Sequence, residues 1–371
     1  MNLLVFAFAA IALVSAHLLR AARPGHLAGA AIAFLISLAI SVMAVKAAAG
    51  SLGLGRTTDF DRVVNHAVAQ AEAEPLAPLI VFTGASYSRN ALDDEALTRQ
   101  LRAEGYPHRV INLSLEAASL AEREAHLDAF LSRIPRAPDL VFVEVAAAFD
   151  QHPAQFFDNS KFSLRGIEQF DLRTSAWTGV GLLQGGCAGA ADCVKQAGLT
   201  GAHFTLNALN IGLVSQGERA DAAGELAAYD PQETPREAVD PAFQLDGLRA
   251  GPDYSPQPGP LWIASLRAQL DARLTARGVR QVGYYFPPVI DAHERAYVDG
   301  LCLGELAEAS CIAPTDPALL AALEGEVWFD ASHLLAPGAE IYTQWLANEL
   351  IATGTLDGVP RLQASRESVA P

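Results

Sequence analysis

The sequence is short of basic residues. Its 371 positions hold 26 lysines and arginines against 42 aspartates and glutamates, which gives a formal net charge of −16. Proteins that bind DNA or RNA need lysine and arginine to neutralise phosphates, so this shortage argues against a nucleic-acid partner. It argues equally against adhesion to anionic lipid headgroups as the main function.

Cysteine is also scarce, with four residues and none in a Cys-x-x-Cys pair or a Cys/His group with zinc spacing. We therefore expect no metal site and no other cofactor. The four cysteines form two close pairs, Cys187 with Cys193 and Cys302 with Cys311. An even count in short loops is typical of local disulfides in an oxidising compartment. Four free thiols in a reducing cytoplasm are the alternative.

Two N-terminal stretches lack charged side chains. Residues 1–19 and 27–45 are apolar, and each is close to the ~20 residues that a transmembrane helix needs. The connection between them carries Arg20 and Arg23, which the positive-inside rule keeps in the cytoplasm. We therefore predict a transmembrane helical hairpin over residues 1–46. It would be integral to the inner membrane and leave the rest of the chain periplasmic or otherwise extracytoplasmic.

A cleaved signal peptide is the alternative explanation of the first apolar stretch. The chain begins Met-Asn, without the basic residues of a signal peptide, and no small-x-small cleavage site is followed by soluble sequence. Both features favour the hairpin.

The sequence has no internal repeat and no low-complexity tract; instead, strand-like apolar runs alternate with segments of helical spacing. This alternation predicts an α/β fold, a doubly wound and mostly parallel sheet with right-handed crossovers. The predicted strands are residues 78–83, 108–114, 138–146 and 279–286. The predicted helices are residues 91–105, 117–133, 261–278 and 337–354.

The remaining segments complete the predicted domain organisation. Residues 47–77 are expected to be a linker and a short helix, 78–355 the α/β domain, and 356–371 a flexible tail. Residues 150–259 interrupt the alternation with glycine, proline and a single helical stretch at 204–214. We interpret 150–259 as an insertion over the carboxyl edge of the sheet, where such folds bind ligands.

A small-residue turn with a serine follows the first predicted strand. In "TGASYSRN" (83–90), Gly84-Ala85-Ser86 would expose the Ser86 hydroxyl at the carboxyl edge of the sheet. A lone Gly-x-Ser is a weak motif, and an ordinary tight turn is the alternative. Ser88 is the competing serine; it lies two residues further on, inside the turn or among the first helical residues, where a helix cap is the simplest role for it.

A second polar motif lies directly before the last helix. In "VWFDASHLLAPGAE" (327–340), Asp330 and His333 are three residues apart. On a loop, this spacing lets the carboxylate reach Nδ1–H of the imidazole and leaves Nε2 free to accept a serine proton. The alternative is a solvated acid beside a capping histidine.

An early Gly-x-Ser and a terminal Asp-x-x-His resemble the SGNH/GDSL hydrolase-like superfamily, which has a flavodoxin-like α/β fold. The resemblance covers residues 78–150 and 260–352. "GASYSRNALDD" (84–94) is similar to the "G-S-S-x-x-R-N-G-I-D-P" block of membrane-anchored members. It implies that Ser86 is the nucleophile, His333 the general base and Asp330 its orienting partner.

The sequence departs from the family pattern at two positions of the oxyanion hole. The second block normally carries a glycine whose amide is a donor, and "INLSLEAAS" offers Ala117 or a neighbour instead. Its amide is expected to form the oxyanion hole together with the Ser86 amide. The third block normally supplies an asparagine, and "VFVEVAAAFD" has none. Glu144 and Asp150 of that block cannot donate when ionised.

The resemblance implies a membrane-anchored extracytoplasmic serine enzyme of acyl esters. Similar proteins O-acylate or deacylate cell-surface polysaccharides beside a multi-span membrane acyltransferase. The expected partners are therefore an acyl donor, a glycan acceptor and such an acyltransferase. Transferase and esterase share one acyl-serine intermediate, so the sequence leaves both open. A non-catalytic scaffold that binds a membrane acyltransferase partner or a glycan is the alternative, favoured by the missing asparagine.

Overall fold

A computed structural model describes residues 59–146 except 117 and 119, 172–209 except 185, 186 and 188, and 224–357 except 252, 253 and 257–260. It also describes the single positions 29, 34, 37, 41 and 44 as helical. Apart from those positions, the predicted membrane hairpin lies outside the described residues. Within the part of the chain that is described, no helix combines the length and apolarity needed to cross a bilayer.

Five parallel strands form one sheet in the order β2-β1-β3-β4-β5. This confirms the predicted α/β class and parallel sheet. The sequence analysis found four of the strands and missed β5, which pairs with β4 at the sheet edge. The strands are β1 (Leu79–Thr83), β2 (Arg109–Asn112), β3 (Leu140–Glu144), β4 (Gln281–Tyr285) and β5 (Ser310–Ile312).

Eleven helices surround the sheet in the described part of the chain. In chain order the first six are α1 (Asp59–Ala73), α2 (Ser86–Ala91), α3 (Asp94–Ala103), α4 (Leu120–Leu131), α5 (Leu172–Leu183) and α6 (Ala190–Leu209). The other five are α7 (Pro241–Arg249), α8 (Leu261–Ala276), α9 (Ala292–Leu303), α10 (Pro317–Ala322) and α11 (Ala336–Ala352).

The central strands are apolar because both faces of the sheet are covered. Every residue of β1 and β3 is buried, as is typical of parallel strands between helical layers. Alternate residues of β1 enter separate cores: Val81 packs with α1, α4 and α8, whereas Phe82 packs with α3 and α11. The two cores fix the sheet between its helical layers, and the parallel direction of the strands places their carboxyl ends at one edge.

The insertion contains more regular structure than the sequence indicated. The single helical stretch predicted at 204–214 was wrong in extent, because α6 begins at Ala190, and the described part of the insertion also holds α5 and α7. Apolar spacing in α5 and α6 is diluted by glycine, alanine and threonine, which explains why these helices were not predicted.

A partly buried cluster of charges joins the insertion to the core. Arg173 of α5 and Arg273 of α8 both contact Glu124 and Asp128 of α4. Both guanidinium groups also stack against the Trp177 ring. Burial raises the pKa of Glu124 to about 8, although the Arg173 charge acts in the opposite direction. The cluster therefore fixes α5 against α4 and α8.

The end of the insertion runs along the carboxyl edge of the sheet. In the segment 224–240, the Asp230 amide donates to the Arg89 carbonyl of α2 at 3.0 Å, and the Arg236 amide donates to Phe329 O at 2.9 Å. This segment thus touches both α2, which follows β1, and the loop before α11, as an insertion over this edge should.

Both predicted disulfides are present. Cys187 bonds to Cys193 and Cys302 to Cys311, with Cα–Cα distances of 5.3 and 5.4 Å. The second disulfide ties the last turn of α9 to β5, the edge strand. Disulfides persist in oxidising compartments, so the pairing supports an extracellular or periplasmic location.

Removing the Cys302–Cys311 disulfide by a double alanine substitution is expected to cost about 2–3 kcal/mol, because the bond restricts the unfolded chain over a short loop. Urea unfolding monitored by circular dichroism measures the change. An unchanged midpoint and slope would contradict this prediction.

The predicted flexible tail begins too early at residue 356. Leu356 is buried and belongs to the core between the sheet and α11, because the chain turns back at Gly354, whose φ is +67°. Residues 358–371 lie outside the described residues.

His108 precedes β2 at the amino edge of the sheet, opposite the strand ends that carry Ser86 and Glu144. It is fully buried, and neither ring nitrogen has a hydrogen-bond partner among the described residues. Burial lowers the pKa of His108 from 6.5 to about 4; Asp139 opposes this change and Arg280 adds to it.

Replacing His108 with leucine is expected to make the fold less sensitive to acid. Between pH 6.5 and about 4, the unfolded chain binds a proton at His108 that the folded chain excludes, so acidification destabilises the native state. Leucine removes this difference. The Tm should therefore fall less in the variant than in the wild type across that range, as measured by scanning calorimetry. Parallel Tm curves would contradict the prediction.

Candidate active site

Ser86 lies where β1 ends and α2 begins. Gly84 and Ala85 follow the strand, and Ser86 is the first residue of the short helix. Its position on a strand-to-helix turn leaves the hydroxyl at the carboxyl edge of the sheet, half-buried.

Asp330 and His333 lie at the tip of a tight hairpin before α11. The Phe329 amide donates to the His333 carbonyl at 2.8 Å, and Trp328 pairs with Leu334 in an antiparallel bridge. Trp328 is buried and anchors the hairpin in the core. Asp330 Oδ1 also accepts the Ser332 amide at 2.9 Å, an Asx-type contact that fixes the carboxylate.

The hairpin fits closely against α11 because of Gly338. A Cβ at this position would lie 2.6 Å from the Val327 carbonyl oxygen, so a larger residue would push the hairpin away. The glycine of "LAPGAE" thus contributes to the placement of the Asp-x-x-His motif.

The structure joins the three predicted residues in one hydrogen-bonded chain. The Ser86 Oγ–His333 Nε2 distance is 2.9 Å, and the His333 Nδ1–Asp330 Oδ1 distance is 2.8 Å. The Asp330 and His333 side chains are 13% and 19% exposed, so water and a ligand have access. An ionised Asp330 places the imidazole proton on Nδ1, so Nε2 accepts the Ser86 hydroxyl proton.

Aromatic rings hold the His333 imidazole. The Tyr87 ring stacks on it with centroids 5.2 Å apart and 15° between planes, and the Phe329 ring meets it edge-on at 6.4 Å. Burial, followed by the Glu294 charge, raises the pKa of Tyr87 to about 12. Tyr87 therefore remains a neutral phenol across the range in which a histidine titrates.

Of the two amides predicted to donate to the oxyanion, the structure describes that of Ser86 and not that of Ala117. Among the described residues, none accepts the Ser86 amide, one of the amides that a helix start leaves unpaired. Ala117 lies outside the described residues. The Leu115 amide donates to the Gly84 carbonyl at 3.2 Å, so the loop that leads to position 117 begins beside the turn that carries Ser86.

The interpretation of Ser88 as a helix cap was wrong. The residue at the N-cap of α2 is Ala85, which has no capping side chain. Ser88 is fully buried, its hydroxyl donates to Glu144 Oε2, and it accepts from the Tyr285 hydroxyl at 2.6 Å. The Ser88 side chain therefore points towards Glu144 and Tyr285 in the interior, away from His333.

Glu144 is the residue that the sequence analysis left without a role. It ends β3 and is 1% exposed, and its Oε2 accepts the Ala85 and Ser88 amides at 3.1 and 3.3 Å. Its Oε1 lies 3.3 Å from Arg123 Nη1. The one sequence signal was a charged residue at the end of an otherwise apolar strand. Asp150 lies outside the described residues.

No metal-ligand cluster of three or more histidine, cysteine or acidic residues occurs in the described part of the chain. The chain matches no protein-family model, no curated protein and no solved structure. Function is therefore inferred from the geometry of the site.

Proposed function

We propose that the chain is an extracytoplasmic serine enzyme of the SGNH/GDSL class that handles acyl esters through an acyl-Ser86 intermediate. The observation that carries this proposal is the hydrogen-bonded chain from Ser86 through His333 to Asp330, with contacts of 2.9 and 2.8 Å. A hydroxyl, an imidazole and a carboxylate in this order are what nucleophilic acyl transfer requires.

In the first half-reaction, Ser86 Oγ attacks the ester carbonyl carbon while His333 Nε2 takes the hydroxyl proton. Asp330 stabilises the resulting imidazolium through Nδ1–H. Negative charge develops on the former carbonyl oxygen, and the Ser86 amide is positioned to donate to it. Collapse of this intermediate breaks the ester bond, the leaving alcohol takes the proton from His333, and the acyl group stays on Ser86.

The second half-reaction repeats these steps with another nucleophile. His333 removes a proton from water or from a sugar hydroxyl, which attacks the acyl-serine and releases Ser86. Water gives an esterase, and a sugar hydroxyl gives an O-acyltransferase. We propose a cell-surface polysaccharide as the glycan, because the disulfides support an extracytoplasmic location.

Anchoring by residues 1–46 belongs to the same proposal. Two charge-free stretches joined by an arginine-bearing connection support a hairpin in the inner membrane. A tethered domain meets a membrane acyltransferase at high effective concentration, so such a protein can supply the acyl groups.

Mapping the site of reaction with a fluorophosphonate probe tests the proposed function. The probe reports an activated serine without requiring knowledge of the acyl donor, and peptide mass spectrometry should place it on Ser86. Purified protein that stays unlabelled under conditions that label a known serine esterase would favour the non-catalytic scaffold. Unlabelled protein from the same preparation can then be assayed for acetate release from acetylated polysaccharide and, with an acetyl ester as donor, for acetylation of unacetylated polysaccharide, which separates esterase from transferase.

A further inference from the structure

Beneath the nucleophile turn lies a buried polar network, formed by residues from several elements. Glu144 ends β3, Tyr285 ends β4, Arg123 belongs to α4 and Ser88 to α2. All four are buried. A network of this kind is costly to bury unless its members are mutually satisfied, so its place directly below Ser86 calls for an explanation.

The Glu144 carboxylate accepts the amides at the start of α2 that have no capping side chain. A helix start leaves amides unpaired, and Ala85 at the N-cap has no side chain to accept one. Glu144 Oε2 accepts the Ala85 and Ser88 amides from a neighbouring strand, at 3.1 and 3.3 Å. The same oxygen accepts the Ser88 hydroxyl. The turn is thus bound to the carboxylate on both sides of Ser86, whose own amide remains available.

The other contacts fix the carboxylate itself. Arg123 Nη1 lies 3.3 Å from Glu144 Oε1 and donates to the Glu144 carbonyl oxygen at 3.1 Å. The Tyr285 hydroxyl donates to Ser88 Oγ at 2.6 Å, and burial raises the pKa of Tyr285 well above its usual value. Tyr285 therefore remains a hydrogen-bond donor.

Gly84 leaves the space that this arrangement needs. A Cβ at Gly84 would overlap the Ser88 hydroxyl and lie 2.6 Å from Glu144 Oε2. The glycine of Gly-x-Ser is thus required here by the close approach of a carboxylate, and Gly84, Ser88 and Glu144 form one unit.

We propose that Glu144 is a positioning residue that keeps the Ser86 hydroxyl within hydrogen-bond distance of His333. Ser88 is the side chain of the turn that Glu144 contacts. This inference rests on the proposed function, because it assigns Ser86 as the nucleophile. Glu144 touches neither substrate nor the reacting atoms. It acts through the backbone on either side of Ser86, at the strand end where the family pattern has an asparagine that donates to the oxyanion.

The test measures inactivation by a fluorophosphonate and separates its maximal rate constant, kinact, from its half-saturating concentration, KI. Both Glu144 oxygens face donors, Oε2 the turn amides and Oε1 Arg123, so the NH₂ group of Glu144→Gln meets a donor in either orientation and the contacts to the turn weaken. We expect kinact to fall about 10²-fold, as for an ångström-scale misplacement, with KI and the midpoint of the pH profile of kinact unchanged. Rates are taken per folded molecule, with thermal unfolding recorded in parallel.

Glu124→Gln is the matched control. Glu124 is another buried acidic residue, and it contacts Arg173 and Arg273 rather than the turn. Whatever stability is lost with its contacts to the two arginines, kinact should stay unchanged in this variant. Equal kinact values in the two variants would overturn the proposal and leave Glu144 a structural residue.

Ser88→Ala keeps the proposal testable if Glu144→Gln does not fold. This change deletes one oxygen and leaves the Arg123–Glu144 pair intact, so the variant is expected to fold. It should lower kinact about tenfold, the effect of losing one of several positioning contacts, and an unchanged value would overturn the role of the network. Failure of the proposed function looks different, because wild-type protein would then carry no label on Ser86.

Discussion

Replacing Ser86 with alanine is expected to abolish fluorophosphonate labelling and to lower ester turnover by up to about 10⁶-fold, the scale seen when a serine nucleophile is removed. Without Oγ there is no atom to form the acyl-enzyme. The residual rate would come from substrate binding and the Ser86 amide, which the substitution leaves in place. Turnover of p-nitrophenyl acetate measures the loss.

The fold should tolerate this change. Ser86 is half-buried, and its side chain contacts His333 at the edge of the domain rather than the core. We expect the free energy of unfolding to change by no more than about 0.5 kcal/mol. Ser132→Ala is the control, since Ser132 is an exposed serine that bonds to the Ala129 carbonyl. Full activity of the Ser86 variant would refute the nucleophile assignment.

The sequence predicts those strands that are continuous apolar runs. The run at 78–83 marks β1, and that at 138–146 marks β3, each to within two residues (Leu79–Thr83 and Leu140–Glu144). β5 was missed because Ser310-Cys311-Ile312 is too short and too polar to stand out. Its place in the sheet depends on pairing with β4 and on the disulfide to Cys302, neither of which is a local signal.

The candidate site likewise contains residues that local sequence motifs predict and one residue that only the fold reveals. Ser86 and His333 are 247 residues apart in the chain, yet each belongs to a local motif, and a parallel sheet brings strand-end turns to one edge. Glu144 belongs to no motif. Its contacts to Ala85 and Ser88 arise because β1 and β3 are neighbours in register, so its role required the structure. The oxyanion donor expected at Ala117 remains a prediction.

The site therefore combines two carboxylates with separate tasks. Asp330 contacts the imidazole from the hairpin before α11, while Glu144 contacts the nucleophile turn from inside the sheet. In the proposed mechanism, Asp330 governs the tautomer and charge of the base, and Glu144 governs where the nucleophile lies. Substitutions at the two positions should consequently differ in their effect on stability, since Glu144 is buried with Arg123 whereas Asp330 is partly exposed.

Replacing Asp330 with asparagine is expected to lower turnover by about 10³- to 10⁴-fold, as an amide does in place of the acid of a serine-histidine-acid triad. Asp330 Oδ1 accepts both His333 Nδ1–H and the Ser332 amide. If the amide NH₂ group turns towards Nδ1, the ring proton moves to Nε2, which can then no longer accept the Ser86 proton. If the amide oxygen stays in place, the tautomer is kept but the charge that stabilises the imidazolium is lost.

The experiment compares kcat, KM and Tm for Asp330→Asn with those for Asp240→Asn. Asp240 makes the same type of contact, accepting the amide two residues on, at Ala242, where it caps α7. Because Asp330 acts on the base, kcat should fall while KM stays close to the wild-type value. The control should lose only capping stability. Wild-type turnover in Asp330→Asn would leave the Asp330–His333 contact a feature of the hairpin alone, and another group would have to orient the imidazole.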